Sequence, residues 1–317
     1  METVLITGGT GMIGKALTQA LIERGFNVVV LTRHINDKPK TINDKLSYAV
    51  WDVEKQTIDK NAFAKADYII HLAGANFADK RWNEKVKKEI VSSRVDSAKL
   101  IIESLKTIPN KVKTIISASG ISYYGADKTE KGRPFIETDP PAGDFMAETS
   151  KQWEAGIEPA SFLGKRLIKF RIGPVLSVDG GAYAEFKNPM KFGVAGIIGN
   201  GKQIISWIHI DDLVRAILFA MENEKMDGVY NAVAPGPVSN KDLILKIADK
   251  NRGKAFIAVH APSIALKIIF GEMINEILKS TTVSSAKLQQ TGFIFQYPDL
   301  ESAILQLSSQ KNLPASP

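Results

Sequence analysis

The chain of 317 residues predicts an α/β protein, a doubly wound parallel sheet with a smaller C-terminal α/β lobe that takes the substrate. Three observations point there. An apolar run, Val4-Leu5-Ile6, reads as a buried first strand. The glycines of Thr7-Gly8-Gly9-Thr10-Gly11-Met12-Ile13-Gly14, spaced G-x-x-G-x-x-G, turn that strand into the helical pattern of Ile13, Leu17, Leu21 and Ile22. A second apolar run, Val28-Val29-Val30-Leu31, follows about 20 residues later, as a strand–helix–strand unit requires.

That loop has a defined use. Gly8 allows the tight turn, Gly11 lets backbone approach a pyrophosphate, and Gly14 lets helix pack close to strand. Thr10, Met12 and Ile13 border the helix start, where free N–H groups and the positive end of the helix meet phosphates. A dinucleotide is the expected ligand.

Composition narrows the classes. With 44% hydrophobic residues the chain can bury a large core. The net charge of +7 comes from lysines scattered through amphipathic segments such as Asp79 to Lys99 and Lys241 to Lys254. They are rarely interleaved with aromatics, so no nucleic-acid partner is expected. The absence of cysteine excludes disulfides, thiolate metal sites and a cysteine nucleophile. His34, His71, His209 and His260 show no ligand spacing, so no metal is expected. The first residues lack a signal-peptide pattern and no long uninterrupted apolar run occurs, so a cytoplasmic protein without stable membrane insertion is expected.

The elements follow in order. The second strand ends at Leu31-Thr32-Arg33-His34, with no acid to hold a ribose 2′-hydroxyl. Arg33 instead offers a cationic fork suited to a 2′-phosphate, so the expected cofactor is NADP(H). Residues 35–47 are polar and lysine-rich, a loop over the adenine side. Tyr48 to Trp51 reads as a third strand, and Asp52 at its end either accepts from the adenine amino group or starts a turn. A fourth strand, Tyr68 to Leu72, runs into Ala73-Gly74, where small residues let backbone pass under adenosine and pyrophosphate. Leu72, Ala73 and Gly74 are therefore contact candidates. Apolar spacing from Trp82 to Leu105 gives a long or broken helix over Asp79 to Leu105, with Trp82 as a packing residue. A fifth strand, Val112 to Ser117, ends in Ser117-Ala118-Ser119-Gly120-Ile121-Ser122-Tyr123-Tyr124-Gly125. Serines and tyrosines at the carboxyl end of a parallel strand lie where ligands bind, which marks Ser119, Ser122 and Tyr124 as catalytic candidates.

Together these residues resemble the extended short-chain dehydrogenase/reductase superfamily, on a Rossmann-type sheet. Phe170-Arg171-Ile172-Gly173-Pro174-Val175-Leu176, Gly180-Gly181, Gly199-Asn200-Gly201, Ser206 to Asp212, Tyr230-Asn231-Ala232 and Gly292 to Phe295 narrow the resemblance to its sugar-nucleotide-epimerase-like branch. The resemblance spans essentially the whole chain and adds Arg171 and Pro174 to the cofactor candidates. Arg171 either faces a phosphate or forms a structural salt bridge. The superfamily implies hydride transfer at a nicotinamide, with a Tyr-x-x-x-Lys pair delivering a proton. The i,i+4 spacing sets phenol and ammonium side by side, which lowers the phenol's pKa.

Here the expected positions, just before Trp153-Glu154, hold Met146 and Ser150. Literal matches at Tyr124/Lys128 and Tyr183/Lys187 fall elsewhere, and Lys151 is one residue out of register, about 100° round a helix. Three accounts stay open. Tyr123 or Tyr124 supplies the proton while Ser119 or Ser122 orients the substrate. Alternatively Glu148 or Asp144 acts, given a burial that raises its pKa. In the third, the protein binds NADP(H) without turnover, as a regulator or scaffold.

The rest fits a substrate lobe. A strand at Leu167 to Phe170 ends at Arg171, and Asp179 to Gly201 reads as a glycine-rich flap carrying Phe186, Met190, Phe192 and Ile197. His209 and Asp211 are expected to cap the helix Leu213 to Met221. Ser263 to Lys279 is apolar along one side, with core packing expected first and a homodimer face or membrane contact as alternatives. The expected domains are 1–175, also receiving part of 203–235, and 176–317, with an active cleft between them. The expected activity is that of an oxidoreductase or epimerase on a small polar substrate, a nucleotide sugar among the candidates.

Overall fold

The computed structural model describes residues 1–35, 44–127 and 132–309. Residues 36–43 of the expected loop, and Lys128, lie outside them. The chain forms two compact units: residues 1–123, 145–171 and 214–230 make the first, and 124–144, 172–213 and the chain from 231 onward make the second.

Apolar, β-branched runs build the strands of the first unit. These are β1 (Thr3–Thr7), β2 (Asn27–Thr32), β3 (Leu46–Asp52), β4 (Thr57–Ile58), β5 (Tyr68–His71), β6 (Thr114–Gly120) and β7 (Arg166–Ile172), with a last strand at Gly228–Ala232. The sheet runs Gly228–Ala232, β7, β6, β5, β1, β2, β3, β4. β1 pairs in parallel with β2, Thr7 opposite Leu31, and with β5 on its other side, Thr7 opposite His71. The strand order therefore reverses between β1 and β5. The carboxyl ends of these two strands flank the switch point, where open α/β sheets bind ligands.

Helices cover the sheet: α1 (Met12–Glu23), α2 (Lys60–Ala64), α3 (Glu84–Thr107), α4 (Phe145–Ile157) and α5 (Pro159–Phe162). Leu5, Ile69, Ile115 and Leu167 from alternate sheet positions join Ala98, Ile101, Leu105, Ile157 and Ala160 in one buried cluster. Burial of each large aliphatic side chain there contributes roughly 1.5–3 kcal/mol. α3 is continuous but starts later than its apolar spacing suggests. Asn83 Oδ1 accepts from the Val86 amide at 2.9 Å and so caps the helix there. Gly156 lets α4 approach α3, since a Cβ on it would stand 3.2 Å from that of Ala98.

The second unit has its own core, in which Leu176, Tyr183, Met190, Ala195, Ile197, Trp207, Leu243 and Ile304 pack together. This corrects the expected flap. Residues 179–201 hold helix α6 (Gly181–Lys187) and the strand Val194–Ile198, and Tyr183 and Met190 are fully buried there. The glycines punctuate folded elements instead of freeing a lid. Of the remaining helices, α7 (Ile210–Glu222) starts in this unit and continues from Val214 in the first, while α8 (Asn240–Arg252) and α9 (Ser263–Phe270) belong to the second. At the start of α7, His209 Nδ1 accepts from the Asp211 amide at 3.1 Å, a capping bond. Within the apolar stretch Ser263 to Lys279, Leu266, Met273 and Ile274 are buried while Ile264, Ile268 and Ile269 are exposed, so core packing holds for only part of it. Among the described residues no helix is long and apolar enough to cross a membrane.

Candidate active site and dinucleotide loop

The glycine loop lies at the switch point, and its glycines have different reasons to be glycine. Gly8 has φ +71°, and a Cβ on it would lie 2.8 Å from the Leu72 carbonyl carbon and 3.0 Å from the Ala73 nitrogen. A Cβ on Gly14 would stand 2.4 Å from the Gly8 oxygen, so helix and loop are in backbone contact. Gly11 is under neither constraint. Its φ is −77°, and its Cβ would meet only the Gly8 oxygen at 3.4 Å, an ordinary contact. The fold does not require glycine there; a ligand lying over the loop would. α1 begins at Gly11 without a side-chain cap, which leaves its first amides to an anion. Thr10 is exposed beside them, and Met12 and Ile13 are half-buried.

A buried hydrogen-bond chain fixes the floor of this site. The Ala73 amide donates to Thr7 Oγ1 at 3.2 Å, and Thr7 Oγ1 lies 2.7 Å from His71 Nδ1. His71 Nε2 lies 3.4 Å from Ser97 Oγ, which donates to the Ser93 carbonyl oxygen at 2.6 Å. This direction of donation puts a proton on Nε2, and in the neutral imidazole Nδ1 then accepts from the Thr7 hydroxyl. Burial, with the Arg94 charge adding to it, pushes the His71 pKa down to about 3, so the neutral form persists at physiological pH. Leu72 and Ala73 are thereby locked against Gly8.

Arg33 is exposed just past the end of β2. Asp52 does what a turn-starting aspartate does. Its Oδ1 accepts from the Glu54 and Lys55 amides at 3.0 Å each, and Lys55 pairs with its Oδ2 at 3.4 Å. The Lys55 amide bond, with Lys55's side chain and the Glu54 amide helping, holds the Asp52 carboxyl below its ordinary value. Gly74 is exposed and covers Arg94, whose Cζ would be 3.1 Å from a Cβ on that glycine.

The end of β6 opens into a second polar cluster. Ser119 Oγ donates to Glu154 Oε1 at 2.8 Å, and Arg171 closes a bidentate pair on the same carboxylate, Nε to Oε1 at 2.8 Å and Nη2 to Oε2 at 2.9 Å. Arg171 is 3% exposed. Of the two readings open for Arg171, phosphate or structural salt bridge, the guanidinium here makes the buried ion pair. The Arg171 guanidinium also lies over the Tyr123 ring, 3.4 Å from the centroid. Ser122 Oγ stands 3.0 Å from Ser150 Oγ. The buried face of α4 thus presents Met146, Ser150 and Glu154 at successive turns. Glu148 points away, 45% exposed at its side chain and paired with Lys151 at 3.3 Å. It lacks the burial that acid catalysis would need.

Tyr124 belongs to the second unit, where the geometry gives it a packing role. It is 1% exposed, stacks on Phe135 at 5.1 Å, and its hydroxyl donates to Asn231 Oδ1 at 2.7 Å. That proton is already committed. Asp144 pairs with Lys279 at 3.1 Å in the same unit. Pro174 is exposed, and its carbonyl oxygen accepts from the Ile208 amide at 3.1 Å. Sequence reasoning did not single out Glu154, Ser150 as a hydrogen-bonding residue, or Arg94. Only Arg94 left a signal, a charged residue on the inward stripe of Ile90 and Ala98.

A mostly parallel sheet, with only its edge strand β4 shown antiparallel, and a glycine loop at its switch point define a nucleotide-binding type of α/β fold. The pattern of the NAD dependent epimerase/dehydratase family matches residues 4–149 and 183–232, and a domain of unknown function, DUF1731, matches 261–307. An epimerase family protein of Staphylococcus saprophyticus is 36% identical over 97% of this chain and 99% of its own length. The human epimerase family protein SDR39U1, solved with NADPH, is similar in structure at a TM-score of 0.82 and 29% identity, over 98% of this chain and 100% of that one. A nucleoside-diphosphate sugar epimerase from Corynebacterium glutamicum has a TM-score of 0.75 and 31% identity, over 97% of this chain and 58% of the other. The chain belongs to the NAD dependent epimerase/dehydratase family.

Proposed function

We propose that this protein is an NADP(H)-dependent oxidoreductase or epimerase acting on a small polar substrate. The observation that carries the reading is Gly11, a glycine with no structural need to be one, at an uncapped helix start on the switch point. The residues present fit the cofactor. The Gly11 amide is spent on the Gly8 carbonyl oxygen at 3.1 Å, so the amides of Met12 and Ile13 hold the diphosphate, Leu72, Ala73 and Gly74 pass beneath it, and Arg33 takes the 2′-phosphate. The NADPH of the human relative, 29% identical, supports that choice. When bound, the cofactor supplies hydride transfer.

At the reacting end the geometry favours one member of each pair that the sequence leaves open. Tyr123, on the Arg171–Glu154 pair, is the proton donor in place of Tyr124, and Ser122 with Ser150 holds the substrate oxygen. Ser119 orients Glu154 and so positions Tyr123 through Arg171. A regulator that binds NADP(H) without turnover is the second reading, favoured by Met146 and Ser150 on the face of α4 where a tyrosine and a lysine would deliver the proton.

Thermal melting with cofactor tests the first half. NADPH is expected to raise the melting temperature more than NADH at equal concentration, and Arg33→Ala to abolish the difference; equal shifts in the wild type would remove the 2′-phosphate assignment. A site filled at about 100 times Kd adds roughly 2.7 kcal/mol, which is readily detected. Loss of NADPH absorbance on addition of a fractionated metabolite extract, depressed by Tyr123→Phe, identifies an oxidoreductase; epimerisation returns the hydride and is read instead as conversion of a nucleotide sugar to its epimer, also depressed by Tyr123→Phe, and neither signal leaves the regulator.

A further inference from the structure

Among the described residues, the buried cation Arg94 has no carboxylate partner. Arg94 is 9% exposed. Its Nη1 donates to the Ile90 carbonyl oxygen at 2.8 Å, and its guanidinium lies over the Trp153 ring, 4.9 Å from the centroid. Neither partner is charged, and among the described residues no carboxylate pairs with it. Burial alone brings its pKa down to about 10, with no acid to raise it. Two other arginines of the same unit show what a structural arginine obtains here. Arg171 has the bidentate carboxylate of Glu154. Arg166 donates to the carbonyl oxygens of Ala220, Met221, Asn223 and Met226. A guanidinium carries five N–H donors, and an uncompensated buried charge is strongly destabilising. The ligand-free fold thus carries a cation it does not use.

The position of that cation points to its use. A Cβ on Gly74 would lie 3.1 Å from Arg94 Cζ and 3.3 Å from Nε, while Gly8 of the phosphate loop rests on the Leu72 and Ala73 backbone. Loop and guanidinium therefore contact neighbouring residues of the same three-residue segment, and the exposed glycine against Arg94 gives the thinnest cover a chain can offer. We propose that Arg94 is a binding residue for the diphosphate of the dinucleotide, a fixed positive charge complementing the neutral amides of the glycine loop. The inference rests on the NADP(H) reading and adds to it a residue from α3.

The test is calorimetric titration of the intact wild type, Arg94→Met and Arg94→Lys with two probes. NADPH contains the diphosphate; adenosine 2′-monophosphate lacks it and reports only the adenine end. Loss of a charged hydrogen bond is expected to weaken NADPH binding about tenfold or more in Arg94→Met, with the monophosphate changed less than about twofold. In the ligand-free protein the same variant is expected to melt higher than wild type, since it removes an uncompensated buried charge. Unchanged NADPH affinity, or equal weakening of both probes with a lower ligand-free melting temperature, overturns the proposal and makes Arg94 purely structural. Should Arg94→Met not fold, Arg94→Lys decides. It keeps the charge and loses the fork, so NADPH binding falls several-fold and monophosphate binding holds if the proposal is right, and unaltered NADPH affinity overturns it. A wild type that binds neither probe defeats the underlying cofactor reading instead.

Discussion

Gly11 and Gly14 differ by three positions and by what they are for. A Cβ on Gly14 would stand 2.4 Å from backbone oxygen, whereas one on Gly11 would sit at 3.4 Å with nothing else near. Gly14→Ala is therefore expected to cost about 1–3 kcal/mol of stability, as overpacking does, read as a lower denaturation midpoint. Gly11→Ala is expected to leave that midpoint within about 0.5 kcal/mol of wild type and to remove the NADPH-induced rise in melting temperature. A Gly11 variant that still responds to NADPH would place the phosphates elsewhere. The Arg171–Glu154 pair behaves differently again. Arg171→Met leaves a buried carboxylate unpaired and is expected to destabilise by about 3–5 kcal/mol, measured by urea unfolding. Replacing both residues by apolar ones of similar volume recovers much of that loss.

The ends of β1 and β5 are joined by one neutral histidine, and this gives those elements a pH limit. In the unfolded chain His71 titrates near 6.5, whereas in the fold burial and Arg94 hold it down to about 3. Below pH 6.5 the unfolded state binds a proton that the native state does not. Stability is therefore full above that pH and is lost as pH falls toward about 3. By pH 4.5 the loss from this group approaches about 2–3 kcal/mol. Denaturation midpoints of wild type and His71→Gln at pH 7 and pH 4.5 check this, with the variant expected to lose less on acidification. An equal loss in both would mean that the Thr7, His71, Ser97 chain does not set the acid limit.

At the scale of the molecule, the fold brings the chemistry of distant segments to the carboxyl edge of one parallel sheet. β1, β5, β6 and β7 each end in residues of a candidate site, and α3 and α4 close it with Arg94, Ser150 and Glu154. A working enzyme built this way shows NADPH turnover that Ser122→Ala and Tyr123→Phe both depress by about 100-fold or more, the scale of a lost acid–base contribution. Tyr124→Phe is expected instead to lower the melting temperature by removing the bond to Asn231. Tyr124→Phe abolishing turnover in a fully stable protein would return the proton-donor role to Tyr124.

The sequence by itself determined what depends on local pattern. Apolar runs and their spacing specify the strands and helices, and glycine spacing between a strand and a helix specifies a phosphate loop, because backbone geometry over a few residues decides both. Arg33 without an acid beside it is equally local. Tertiary structure decided which polar side chains are free. Ser119 is joined to a carboxylate 35 positions away, and Tyr124 to an amide 107 positions away; no local pattern records those bonds. It also separated Asp52, consumed by its own turn, from the residues that face the loop, and turned the expected flap of 179–201 into packed elements. Arg94 stood in the sequence as one more basic residue on an amphipathic helix. Only the burial of its face and the lack of a carboxylate partner among the described residues distinguish it, since a charge acquires its meaning from the partners that folding brings or withholds.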